Sequence, residues 1–83
     1  RAAEKENPSN GQVMLELGKL SLTRGQFEEA RARLAKAVTL LPDFGSAHYQ
    51  LGLTYGRLGD KEKSDHHLNL SRELDRRQAE AQK

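Results

Sequence analysis

The chain has 83 residues, 14 Lys and Arg against 12 Asp and Glu, 35% apolar and 5% aromatic residues, and no cysteine. That length allows at most one small domain, near the size at which a single core is only just sufficient. A disulfide framework and a thiolate metal site are excluded, no apolar run approaches the roughly 20 residues of a membrane span, and a net charge of +2 is too small for a strong nucleic-acid footprint.

In chain order, the first helix is expected over about residues 10–24. Ser9 followed by Gln12 has the form of a capping box, Val13, Met14, Leu17 and Leu20 recur at helical spacing, and Gly25 stands where a helix can take a left-handed exit. A second helix carries Phe27, Ala30, Leu34, Ala37, Val38 and Leu41 at three- and four-residue steps and stops before Pro42, which lacks the N–H needed to continue. Asp43 is expected to cap a third helix bearing Ala47, Leu51, Tyr55 and Leu58 and ending at Gly59. Asp60 is expected to cap a fourth with Leu68 and Leu74, running on through "RRQAEAQK" toward Lys83. No strand pattern competes.

The chain repeats itself. Residues 11–42 set against 45–76, an offset of 34, give identities at Gly11/Gly45, Leu17/Leu51, Gly18/Gly52, Gly25/Gly59, Glu28/Glu62, Leu34/Leu68 and Leu40/Leu74. A period in this range marks a stacked array whose units are helix pairs. The same offset relates Ala37 to Ala3 and Pro42 to Pro8, so residues 1–8 read as the tail of a preceding repeat. The expected organisation is therefore that tail, a first repeat over 9–42, a second over 43–76, and an extension of the last, capping helix over 77–83. Gly18 and Gly52 lie within helices, where glycine costs about 1 kcal/mol relative to Ala, and are expected to let a neighbouring helix approach closely.

These residues resemble the tetratricopeptide repeat family. The first unit matches its pattern at Met14, Leu17, Gly18, Gly25, Phe27, Ala30, Leu34, Ala37 and Pro42, with Ser21 where an aromatic is usual. The second matches at Leu51, Gly52, Tyr55, Gly59 and Leu68 and departs at His48, Lys61, Ser64, Ser71 and Arg76. The resemblance implies an all-α fold of antiparallel helix-turn-helix pairs stacked as a short right-handed superhelical solenoid. It also implies a non-catalytic module that binds a peptide or partner helix in a concave groove. Two units and a fragment are fewer than the about three that stacking needs, so further repeats or a second copy of the chain are expected to supply contacts.

By the same resemblance the first helix of each pair lines the groove. Its residues would be Gln12, Leu15, Glu16, Lys19, Leu22 and Thr23 from one unit, and Ser46, Tyr49, Gln50, Leu53 and Arg57 from the other. Each set also falls on one stripe by its own spacing. Leu15, Leu22, Tyr49 and Leu53 give that stripe an apolar strip not needed by the core, and Lys19 and Arg57 suit a partner with acidic as well as apolar character. The carboxylate clamp of the family's co-chaperone members needs Lys and Asn on the first groove helix and Asn on the second. Leu15, Lys19 and Gln50 stand in the corresponding places, so dedicated binding of chaperone tails is not expected. The alternative is a helical accessory domain of a larger enzyme or of a secretion or assembly component, with the same strip packed on other parts of the polypeptide.

Nothing in the chain asks for catalysis, a cofactor or a metal. His66 and His67 are adjacent on a helix and point about 100° apart, so both are expected on a solvated face, while His48, at a position for a large apolar residue, is expected to be partly buried. Ser21, Ser46, Ser64 and Ser71 lack the strained elbow of a nucleophile, and Glu28 and Glu29 suit the start of a helix. Arg31, Arg33, Lys36, Arg72, Arg76 and Arg77 alternate with acidic residues, as on an outer solvated face, and no interleaved aromatics offer base stacking. Neither nucleic acid nor membrane is an expected partner.

Overall fold

The computed structural model describes residues 10–81, and among them the only regular structure is helical. Helix α1 spans Gly11–Thr23, α2 Phe27–Leu40, α3 Gly45–Arg57 and α4 Lys61–Ala81. The tail expected over residues 1–8, and Ser9 with it, lies outside the described residues.

Each helix end has a local cause, and two differ from the sequence reading. Asn10 caps α1, its side-chain oxygen accepting from the Val13 N–H at 3.1 Å. Asp43 does not cap α3. That helix starts one residue later than an Asp43 cap requires, with Phe44 in the cap position and no side-chain bond to the first turn. The Phe44 ring packs against the core instead, so an apolar contact sets the entry of the chain into α3. Asp60 does cap α4, accepting from the Lys63 N–H at 3.1 Å. The exits of α1 and α3 are the same device used twice. Gly25 and Gly59 take φ of 77° and 85°, and the N–H groups of Gln26 and Asp60 reach back to Ser21 and Tyr55 carbonyls at 2.9 Å, closing the last turn with a left-handed residue that glycine adopts without strain.

Helices α1 and α2 form one antiparallel hairpin and α3 and α4 another. The hairpins join through α2 on α3 and, more lightly, α1 on α3. Among the described helices α4 packs on α3 alone. The core is Met14, Leu15, Ala30, Leu34, Ala37, Ala47 and Leu51, with Val13, Leu17, Leu22, Val38, Phe44 and Tyr55 packed around it. Full burial of a Leu or Met contributes about 1.5–3 kcal/mol, and the alanines let the helices come close enough to bury them. Gly18 does the same more severely: a Cβ there would lie 2.5 Å from Cγ and Cδ2 of Leu34. A Cβ on Gly52 would lie 2.8 Å from Leu68 Cδ2. The repeated Leu-Gly thus serves one purpose in both hairpins.

The interior also contains polar groups that the sequence reading placed on the surface. Arg33 is buried, 9% exposed, because its guanidinium turns inward to Ser21. Its Nη1 donates to Ser21 Oγ at 2.9 Å and pairs with Glu29 at 2.9 Å, while Ser21 Oγ donates to Glu29 at 3.0 Å. Ser21, where the family has an aromatic, leaves the volume that this head group occupies. In the second hairpin the residues at the same offsets, Tyr55 and His67, stack at 5.7 Å. His67 is accordingly half-buried against α3 and not on a solvated face. His48 is buried, as its position implies. No fully buried side-chain nitrogen or oxygen among the described residues lacks a hydrogen-bond partner.

Candidate interaction face

Because α1 and α3 are each the first helix of a hairpin and touch one another, the residues expected to line a groove fall on neighbouring helices. The structure divides them. Leu15 is 2% exposed and belongs to the core, where it packs with Met14 and Leu34. Its assignment to the free strip is therefore corrected: the α1 stripe rotates inward at that position, and the side chain is consumed by folding. Tyr49 and Leu53 remain 46% and 36% exposed.

Leu22, Leu53 and Arg57 come together with Thr23, Gly25 and Phe27 around an open cavity of about 400 Å³. Four pieces of the chain build it: the end of α1, the glycine turn that follows, the start of α2, and the C-terminal part of α3. The Gly25 exit turns the chain back sharply enough to bring Phe27, the first residue of α2, beside Leu22. Arg57 reaches over the Phe27 ring with its guanidinium carbon 6.0 Å from the centroid, a cation–π arrangement that holds the charge at the rim of an apolar floor. Its spacing gives Phe27 the same apolar stripe as Ala30 and Leu34. Only the position of the turn, which periodicity does not report, makes it part of this face.

Tyr49 lies apart from this cavity. It lines a second depression, of about 300 Å³, with Leu68, Ser71, Arg72 and Asp75 between α3 and α4. Gln12 and Lys19 line neither of these depressions, and Lys19 pairs with Glu16 at 3.7 Å along α1. Gln50 is partly exposed on α3, and its backbone carbonyl accepts from Thr54 Oγ1 at 2.9 Å. The expected continuous strip is thus a cavity at one end of α1 and α3 and a separate tyrosine-lined depression further along. Among the described residues no group of three His, Asp or Glu side chains is placed to hold a metal ion, and no helix is long and apolar enough to cross a membrane.

Two helical hairpins related by a 34-residue repeat, each closed by a glycine and carrying an inward-facing Leu-Gly, define a helical repeat scaffold of the kind associated with protein interaction. The TPR repeat family model matches residues 18–59 and the Tetratricopeptide repeat model residues 45–78. The chain belongs to the tetratricopeptide repeat family. Among solved structures it is similar to MamA MSR-1 C2, with a TM-score of 0.82 and 31% identity over 90% of this chain and 43% of that one. It is also similar to MamA AMB-1 P212121, with a TM-score of 0.83 and 30% identity over 88% of this chain and 40% of that one. The chain spans less than half the length of the MamA chains it matches. No curated protein matches it.

Proposed function

We propose that this scaffold holds an extended peptide or a partner helix across α1 and α3, with the cavity of Leu22, Phe27, Leu53 and Arg57 as the anchoring point. The observation that carries this reading is the exposed apolar floor beneath a positive rim. Folding leaves Leu53 uncovered although the same helix buries Leu51, and an apolar patch rimmed by charge favours a ligand that has both characters. A partner side chain of apolar type would enter beside Leu22 and Leu53, and a carboxylate nearby would meet Arg57. Tyr49 would extend the contact toward α4.

The test uses a partner captured on the immobilised chain and then measured in purified form. Leu53→Ala and Tyr49→Ala are each expected to weaken it about fivefold or more, the effect of losing more than 1 kcal/mol at an interface anchor. Lys36→Ala, at an exposed position on α2, is expected to leave affinity unchanged. Circular dichroism of each variant separates lost binding from lost folding. The opposite ranking, with Lys36 essential and both groove variants silent, would move binding to the outer face.

A further inference from the structure

The joint between α3 and α4 contains a histidine pair whose protonation states follow from its surroundings. His48 Nε2 lies 2.9 Å from the Pro42 carbonyl oxygen, which can only accept, so the neutral ring carries its proton on Nε2 and presents Nδ1 as an acceptor. Nδ1 of His67 is 3.1 Å from that acceptor and therefore donates. A single hydrogen, on His67, joins the two helices at this point. The rings lie nearly parallel, with centroids 5.3 Å apart. His67 also stacks on Tyr55 of α3 at 5.7 Å and meets His66 of α4 edge-on at 5.1 Å. Lys63 of α4 stands 5.6 Å from the Tyr55 centroid. The titratable and charged groups around the pair from α3 and α4 are thus His66, Lys63 and the Tyr55 phenol, and the α2–α3 connection contributes the Pro42 carbonyl.

We propose that the His48–His67 pair is a proton-operated joint, which on acidification parts α4 from α3 and opens this end of the array. A first proton, on His67, keeps the Nδ1 hydrogen bond but places a charge where burial and the neighbouring imidazoles oppose it. A second proton must go to His48 Nδ1. It removes the acceptor and sets two N–H groups and two positive charges face to face. Burial foremost, and then the charges of His48 and His66, hold His67 below its ordinary value of 6.5. Its neutral form is therefore favoured by folding. The associated stability is complete above 6.5, the unfolded value, and is lost as pH falls through the lower folded value, because there the unfolded or opened state binds protons that the closed state does not. Since α4 packs on α3 alone among the described helices, opening this joint leaves the α1–α2 hairpin in place.

Hydrogen exchange at pH 7.5 and 5.0, corrected for the intrinsic exchange rate, tests this. In the wild-type chain the protection of α4 amides is expected to fall more than that of α1 amides, in the direction set by a proton that the closed joint disfavours. His67→Gln keeps a neutral donor and His48→Gln a neutral partner, and each is expected to abolish the difference, whereas His66→Gln retains it. Equal loss of protection in α1 and α4 of the wild type overturns the proposal, as does an undiminished difference in His67→Gln and His48→Gln. Ring resonances decide it without any variant. Coupled titration of His48 and His67 supports the joint, and two independent titrations at the ordinary imidazole value overturn it.

Discussion

Gly18 and Gly25 are both invariant between the two halves of this chain, yet they are glycine for different reasons, and substitution separates them. At Gly18 the backbone is helical and space is lacking, since Leu34 fills the place of a side chain. At Gly25 space is open, with no atom within 4 Å of an added Cβ, but φ is 77°. Gly18→Leu is therefore expected to cost about 1–3 kcal/mol through overpacking of the first hairpin. Gly25→Ala is expected to cost about 1–2 kcal/mol through left-handed strain and to leave the packing of Leu34 untouched. Urea denaturation measures both losses, and a methyl-resolved spectrum of Leu34 distinguishes them: it moves in the first variant only. Arg33 illustrates what single residues conceal. A charge among other charges on a helix looks solvated, and its inward turn depends on Ser21, twelve positions away, leaving room for it.

The helices themselves were legible in the sequence to within a residue or two because their apolar period, their glycine exits and Pro42 all agree. Caps were less so. Asn10 and Asp60 make the side-chain bonds that hold α1 and α4 at their starts, while Asp43 does not reach the first turn of α3. Asn10→Ala and Asp60→Ala are each expected to lower stability by about 1 kcal/mol, and Asp43→Ala to change it by no more than about 0.5 kcal/mol; thermal unfolding followed by circular dichroism compares all three. The groove stripe was legible as a stripe, since spacing fixes which residues share a side of α1 and α3. Its division into core and free surface was not, because Leu15 and Leu22 sit about two helical turns apart on the same side and only the approach of α2 and α3 decides which of them is covered. Phe27 was missed as a cavity residue for the same reason, and His67 as a packed one because nothing on α4 itself announces the rings of Tyr55 and His48.

Across the molecule, charge and packing divide the work between them. The resolved ion pairs, Lys19–Glu16, Arg31–Glu28, Arg33–Glu29, Lys61–Asp65, Lys63–Asp60, and those of Arg76 and Arg77 with Glu73 and Glu80, each lie within one helix or its cap. Pairs of this kind are worth a few tenths of a kcal/mol when exposed, and apart from the hydrogen bonds of Ser21 with Arg33 and Glu29 and of His48 with His67, the contacts described between one helix and the next are apolar or close approaches at small residues. Raising salt from 0.1 to 1 M is thus expected to change the free energy of unfolding by less than about 1 kcal/mol. Leu34→Ala, at a fully buried position shared by both helices of the first hairpin, is expected to cost about 2–5 kcal/mol. Denaturant titrations at the two salt concentrations measure the contrast, and a larger salt effect than core effect would reverse this division.

The order of packing, in which each helix meets chiefly the next one along the chain, bears on how the protein assembles in time. Forming any of its main interfaces closes only a short connection, so little loop entropy stands in the way, and topologies with such local contacts fold in microseconds to milliseconds. Either hairpin can begin the process and the other can add to it, without a distant segment having to arrive first. A ribosome that has released only the first hairpin has therefore already exposed a unit able to start folding, and the second can be laid down on α2 as it emerges.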